Sequence, residues 1–304
     1  MKAVPALALA LLLGGCAFPD PGGYPGPGGE IVVPLHEGPD NVFSFDLWVG
    51  PEAFPARVLL DTGSSFTALS PHLSTEADPA GRRIPVTMEG VHEVRETEAY
   101  RGRALLSFRP AGGRAFEVRE APFWELRIPH GHDGLAGLAV FPGRLVTLDL
   151  AHREVVVRDG ALPEPDGAAC LPLRVEGGIP SVDVVAAGVP LRASVDSGFF
   201  GTLYVDPETA ARLPLSDVTG SYVRVRDVHG DRVLEERRLL GAMRVGDQVL
   251  ESPWVMVGEG EPLLGVGALR RLRVTFDLAS RRVRVEPSAP RAREAAGPGG
   301  ERSP

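Results

Sequence analysis

Pro55-Ala56-Arg57-Val58-Leu59-Leu60-Asp61-Thr62-Gly63-Ser64-Ser65-Phe66-Thr67 lies without a gap over Pro190-Leu191-Arg192-Ala193-Ser194-Val195-Asp196-Ser197-Gly198-Phe199-Phe200-Gly201-Thr202, at an offset of 135 residues. A second pair of segments repeats at an offset of 128: Gly137-Leu138-Ala139-Val140-Phe141-Pro142-Gly143-Arg144-Leu145-Val146-Thr147-Leu148-Asp149 over Gly265-Val266-Gly267-Ala268-Leu269-Arg270-Arg271-Leu272-Arg273-Val274-Thr275-Phe276-Asp277. Between them Val91-His92 matches Val228-His229 at an offset of 137. The blocks keep their order in both halves, so the chain is one unit written twice with differences in loop length.

Each unit reads as strands. Apolar residues alternate at Phe43, Phe45, Leu47 and Val49, a Gly50-Pro51 turn follows, and Val58-Leu59-Leu60 delivers Asp61. The second half repeats the plan with Val182 and Val184, a turn at Gly188, then Leu191, Ala193 and Val195 before Asp196. After each aspartate comes a short apolar run and then a helix start, Ser70-Pro71 in one half and Asp206-Pro207 in the other, a capping residue followed by proline in the first turn. Val155-Val156-Val157 and Val283-Arg284-Val285 close the two units as strands. The expectation is an all-β chain of two related β-barrel-like lobes facing a central cleft, spanning 33–160 and 171–287 and joined by a linker at 161–170.

A single Asp-Thr-Gly is also the composition of an ordinary turn. Two copies, each after an apolar strand and each followed by an apolar-apolar-glycine segment (Leu135-Ala136-Gly137 and Leu263-Leu264-Gly265), carry more weight. From Val33 to Val285 the chain resembles the pepsin-like and retropepsin-like aspartic peptidases. That resemblance implies Asp61 and Asp196 as paired catalytic carboxylates of an endopeptidase acting on an extended polypeptide, with no metal, cofactor or covalent intermediate. It implies Gly63 and Gly198 where the backbones meet, the hydroxyls of Thr62 and Ser197 as bonds between lobes, and Gly137 and Gly265 on strands threading beside the aspartate loops. It implies for Ser64 a hydrogen bond to the outer oxygen of Asp61. Phe199, at the matching place, has no hydroxyl to give, from which Asp196 is expected to carry the shared proton and Asp61 the charge. A closing hairpin is expected at Val86 to Leu106, with a counterpart at Val223 to Leu240. Tyr100 is the tyrosine nearest to it and stays outside the catalytic set. A non-catalytic peptide-binding lipoprotein of the same fold is the alternative reading.

Composition is that of a globular chain with room for two domains: 304 residues, 43% hydrophobic and 24% charged. The net charge of −8 and the absence of any basic block exclude a nucleic-acid footprint. Lys2 followed by the apolar run Ala3 to Leu13 is a signal-peptide core, too short to span a bilayer. It ends in Leu13-Gly14-Gly15-Cys16, which resembles the bacterial lipobox and implies cleavage after residue 15 and lipid attachment at Cys16. Residues 16–32, rich in Gly and Pro, then form a tether, and 288–304 a disordered tail. Ala17, in place of an aspartate, favours an outer-membrane anchor facing the periplasm. With Cys16 lipidated, Cys170 has no partner for a disulfide, and the duplication makes a monomer sufficient.

Three other signals fall short. His130-Gly131-His132-Asp133 offers ligand types without a second cluster to complete a metal site. Gly265-Val266-Gly267 lacks the third glycine of a dinucleotide fingerprint, and no nucleophile-elbow pattern surrounds Ser64 or Ser65.

Overall fold

The structure is a computed structural model, and it describes the backbone of residues 29–38, 41–89, 94–108, 116–126, 128, 131–227 and 230–288. Cys16, the signal segment, the proposed tether up to residue 28, the tail beyond 288 and His130 lie outside the described residues, as do the tips of both expected hairpins.

Strand Phe43–Val49 shows how the sequence folds locally. Phe43, Phe45, Leu47 and Val49 are fully buried, while Asp46 and Trp48 between them face outward and remain half-buried. That two-residue period fixes its register against Phe54–Leu60, with Ser44 opposite Leu59 and Val49 opposite Phe54. Phe45 and Phe108 stack at 5.7 Å between centroids, and Phe108 meets Phe141 at 5.0 Å, so three separate segments close the first core.

The two lobes are wired alike. In the first, strand Phe54–Leu60 runs parallel to Gly134–Ala136, which pairs antiparallel with Thr67–Leu69, which in turn runs parallel to Phe116–Glu125. In the second, Val189–Val195 runs parallel to Leu263–Leu264, antiparallel to Leu203–Val205, which runs parallel to Trp254–Val257. Each lobe then adds a hairpin: Arg82–Glu89 with Val94–Phe108 in one, Leu215–Asp227 with Gly230–Leu239 in the other. The helices are short, Pro71–Ala77, Pro207–Arg212 and Val266–Leu269 among the described residues, as the two cap-proline signals predict for the first two.

A six-stranded sheet joins the lobes in the order Ile31–Pro34, Glu154–Arg158, Leu145–Asp149, Leu272–Asp277, Arg282–Pro287, Cys170–Pro172, three strands from each half. Its centre is the antiparallel contact of Leu145–Asp149 with Leu272–Asp277, where Thr147 lies opposite Thr275. These two residues are equivalent in the repeat, and their buried hydroxyls are 2.8 Å apart. A residue paired with its own equivalent marks the twofold pseudo-axis, so the duplication read in the sequence is also a rotation in space. The strand Ile31–Pro34 begins inside the segment assigned to the tether, because Ile31 to Val33 pair with Val157, Val156 and Val155.

Candidate active site

Each aspartate sits at the end of a strand and is held from beneath by the apolar-apolar-glycine strand of its own lobe. Asp61 N–H donates to Ala136 O at 3.0 Å, and Asp196 N–H to Leu264 O at 3.0 Å. The glycine that follows each carbonyl leaves room for the loop to cross. A Cβ on Gly137 would stand 2.0 Å from Ser64 O; one on Gly265 would stand 2.4 Å from Gly201 O and 2.5 Å from Phe199 O. No side chain fits at either position.

The two loops meet through Thr62 and Ser197, both wholly buried. Thr62 N–H donates to Ser197 Oγ and Ser197 N–H to Thr62 Oγ1, each at 3.0 Å. Thr62 Oγ1 then donates to Val195 O at 2.6 Å, and Ser197 Oγ to Leu60 O at 2.9 Å. Four bonds cross from lobe to lobe, and each hydroxyl donates once and accepts once, leaving neither buried oxygen unpaired. The carbonyls of Val195 and Leu60 were not legible in the sequence, since a backbone acceptor leaves no trace in residue type.

The grip brings each carboxyl to the other lobe's glycine. A Cβ on Gly63 would lie 2.7 Å from the carboxyl carbon of Asp196, and one on Gly198 would lie 2.9 Å from that of Asp61. Asp61 and Asp196 hydrogen-bond each other through their side chains. Gly63 N–H donates to Asp61 Oδ1 at 3.0 Å and Gly198 N–H to Asp196 Oδ1 at 2.8 Å. The next N–H in each loop closes the turn on the aspartate's own carbonyl, Ser64 N–H on Asp61 O at 3.1 Å and Phe199 N–H on Asp196 O at 3.3 Å.

Burial is the largest cause raising Asp61, followed by the charge of Asp196 and the hydrogen bond between the two, and together they lift its carboxyl well above the ordinary range. Burial also raises Asp196, but its bonds from Gly198, Asp61 and Phe199 oppose the rise. Two carboxyls so placed cannot both ionise and hold one proton as a pair. Both shifts run upward, so the proton belongs to the pair. The bond expected from Ser64 to the outer oxygen of Asp61 is not made: Ser64 Oγ turns back on its own loop, donating to Phe66 O at 3.1 Å and accepting from Phe66 N–H at 3.4 Å. With that hydroxyl occupied, the donor each carboxyl takes from its own loop is the glycine N–H, at 3.0 Å for Asp61 and 2.8 Å for Asp196.

Other expected features sit elsewhere. Tyr100 pairs with Arg83 in the first hairpin, donates its hydroxyl to Asp78 O and stacks on Phe123 at 6.3 Å, which occupies it away from the aspartates. Phe199 is buried, its ring over Gly201 and Gly265 in a cluster with Tyr204, Leu234, Met256 and Leu263, while Phe200 packs half-buried on its edge. Asp133 does not gather ligands: its carboxylate accepts Arg57 N–H at 2.8 Å and faces His72 at 3.3 Å, fastening the strand that supports Asp61. Among the described residues no three His, Cys, Asp or Glu side chains converge as a metal site, and no helix is long and apolar enough to cross a membrane.

No protein-family model matches the chain, and no curated protein matches its sequence. Among solved structures it is similar to basic 7S globulin from soybean, at 12% identity and a TM-score of 0.53, over 86% of this chain and 95% of the globulin. It is also similar to edgp, at 11% identity and a TM-score of 0.51, over 84% of this chain and 94% of that one. The chain therefore has the pepsin-like two-lobed, nearly all-β fold. The resemblance to pepsin-like and retropepsin-like peptidases is corrected accordingly, from a family to a fold: no family model takes in the two aspartate loops, and neither structural neighbour carries the name of a peptidase.

Proposed function

We propose that the junction of the two lobes receives an extended polypeptide and that Asp61 and Asp196 hydrolyse its backbone. One observation carries this reading: the Thr62–Ser197 grip sets a carboxyl from each lobe against the other lobe's glycine, 2.7 Å and 2.9 Å from where a Cβ would stand, and two carboxyls so close hold one proton between them. Such a pair contains a base and an acid at once, which a lone ionised carboxylate does not. The ionised member of the pair takes a proton from a water placed between the carboxyls. The hydroxide adds to the amide carbon while the protonated member gives its proton to the carbonyl oxygen. The tetrahedral diol then loses its amine: the proton taken from the water moves to the nitrogen, the C–N bond breaks, and a diol hydroxyl returns its proton to the carboxylate that gave one up. The products are an acid and an amine, and the pair again holds one proton.

A second reading, polypeptide binding without turnover, is favoured by the comparisons, since the structural neighbours are named as a globulin and edgp. Asp61→Asn separates the two. On the hydrolytic reading a peptide library is cleaved by the native chain, and the variant, folded and still binding peptide, loses about 10²–10⁴-fold in rate. Cleavage at the native rate by the variant would remove the hydrolytic reading; peptide binding with no cleavage by the native chain would establish the second. Either activity is proposed to work from the envelope, on a monomer anchored through lipidated Cys16 on the outer membrane and facing the periplasm. Incorporation of labelled fatty acid that disappears in Cys16→Ala is the expected result, and equal labelling of both would remove the anchor.

A further inference from the structure

Besides the hydroxyl grip and the shared sheet, a third tie joins the lobes, and it is one-sided. Arg270, in the second lobe, places one guanidinium nitrogen on Glu37 Oε1 of the first lobe, and on Asn41 Oδ1 at 3.1 Å. Its guanidinium carbon stands 5.1 Å from the centroid of the Phe43 ring. Glu37 is completed from within its own lobe by Arg153, whose NH2 lies 3.0 Å from Oε2. The position equivalent to Arg270 in the first half is Pro142, so the rotation that repeats the aspartate loops does not repeat this contact.

Both ends of the tie lead to the carboxyl pair. Arg270 closes the helix Val266–Leu269, its N–H on Val266 O at 2.9 Å. That helix holds the back of the Asp196 loop, with Val266 N–H on Phe199 O at 2.8 Å and Gly267 N–H on Gly201 O at 2.9 Å. At the other end Glu37 lies opposite Phe43, in a strand paired with the one that sets Ser44 opposite Leu59, two residues before Asp61. We infer that Arg270 is a positioning residue: through Glu37 and Asn41 it sets how closely the Asp61 and Asp196 loops approach, and so the sharing of their proton. The inference rests on the carboxyl pair acting as proposed above. The Arg270 and Arg153 cations beside Glu37 hold its carboxyl below the ordinary range, with the bond from Arg270 the largest cause. A lowered carboxylate keeps its ion pair until the pH falls below the usual glutamate value, so the tie persists in acid.

The test compares Arg270→Ala, Arg270→Lys and Arg153→Ala in the full chain by peptide-hydrolysis pH profiles and by carbon NMR titration of the Asp61 and Asp196 carboxyls. Arg270→Ala leaves Glu37 paired with Arg153, so the first lobe keeps its local contacts. The expected result is a kcat lower by about 10- to 100-fold with little change in KM, and a shifted carboxyl titration. Arg270→Lys, which keeps the charge and loses the planar reach to both partners, falls between this variant and the native chain. Arg153→Ala, which removes a contact inside one lobe, leaves both readouts unmoved. A native titration in both Arg270 variants, or an equal shift in Arg153→Ala, overturns the inference. Should the native chain cleave nothing, the hydrolytic reading fails and the titration alone decides: a shift confined to the Arg270 variants upholds the positioning role, and its absence removes it.

Discussion

The Asp61 and Asp196 loops share every backbone contact that bears on their carboxyls and differ in nearly every side chain behind them. Both carboxyls receive an N–H from the glycine two residues on, both loops close with the next N–H on the aspartate's own carbonyl, and both rest on a strand carbonyl. Behind the first, Ser64 closes a small polar ring with Phe66; behind the second, Phe199 fills an aromatic cluster under the hairpin. The comparison teaches that the symmetry of the site is a property of the main chain. Side chains are constrained where they cross the axis, at Thr62 and Ser197, and where none can exist, at the glycines; elsewhere the two halves have diverged around an unchanged geometry.

The strongest way to break the equivalence is to put a methyl group under one loop. Gly137→Ala sets a carbon 2.0 Å from a backbone oxygen, and no flexible side chain is there to yield. Loss of about 4 kcal/mol or more is expected, enough to leave the first lobe unfolded in a urea melt. Gly265→Ala should do the same to the second lobe, where two carbonyl oxygens and the Phe199 ring stand in the way. Next in size is Phe199→Ala. It empties a buried ring site that the first loop lacks, at a cost of about 3–5 kcal/mol, read as a lowered denaturation midpoint.

Much of this was legible beforehand because duplication turns one ambiguous motif into a pair. Two aspartates at equivalent places require an axis, and strands on that axis must pair with their own copies, as Thr147 and Thr275 do. What stayed hidden depends on the direction in which a side chain turns. Ser64 sits where a carboxylate-binding hydroxyl was expected and bonds Phe66 instead. The tie between Glu37 and Arg270 was invisible for another reason: its partners are 233 residues apart and repeat nothing, so no periodicity or motif connects them.

The carboxyl pair sharpens the comparison through pH. Burial raises both groups, with the charge of Asp196 adding to the rise at Asp61, so between the ordinary carboxylate range and the raised value the native state binds a proton that the unfolded chain has lost. Stability contributed at the site is then highest at low pH and falls as the pH climbs through that window. Asp61→Asn and Asp196→Asn each remove the repulsion and half of the titration. Each should melt higher than the native chain at pH 7, with the gain shrinking as the pH drops below about 4. A gain that grows toward acid would mean that the pair is not raised.

The smallest expected effect belongs to Ser64. If its hydroxyl served the carboxylate, its removal would lower the rate of any chemistry at Asp61 and shift the titration of the pair. Its two contacts are instead with Phe66, 3.1 Å and 3.4 Å long, within the same loop. Ser64→Ala should therefore cost about 0.5–1.5 kcal/mol, the worth of a neutral hydrogen bond, with the carboxyl titration unchanged. The same substitution makes the first loop resemble the second in lacking a hydroxyl at that place. If the titration nonetheless moves toward a proton on Asp61, the hydroxyl had been favouring that carboxylate's charge, and the symmetry of the site is less purely a matter of backbone.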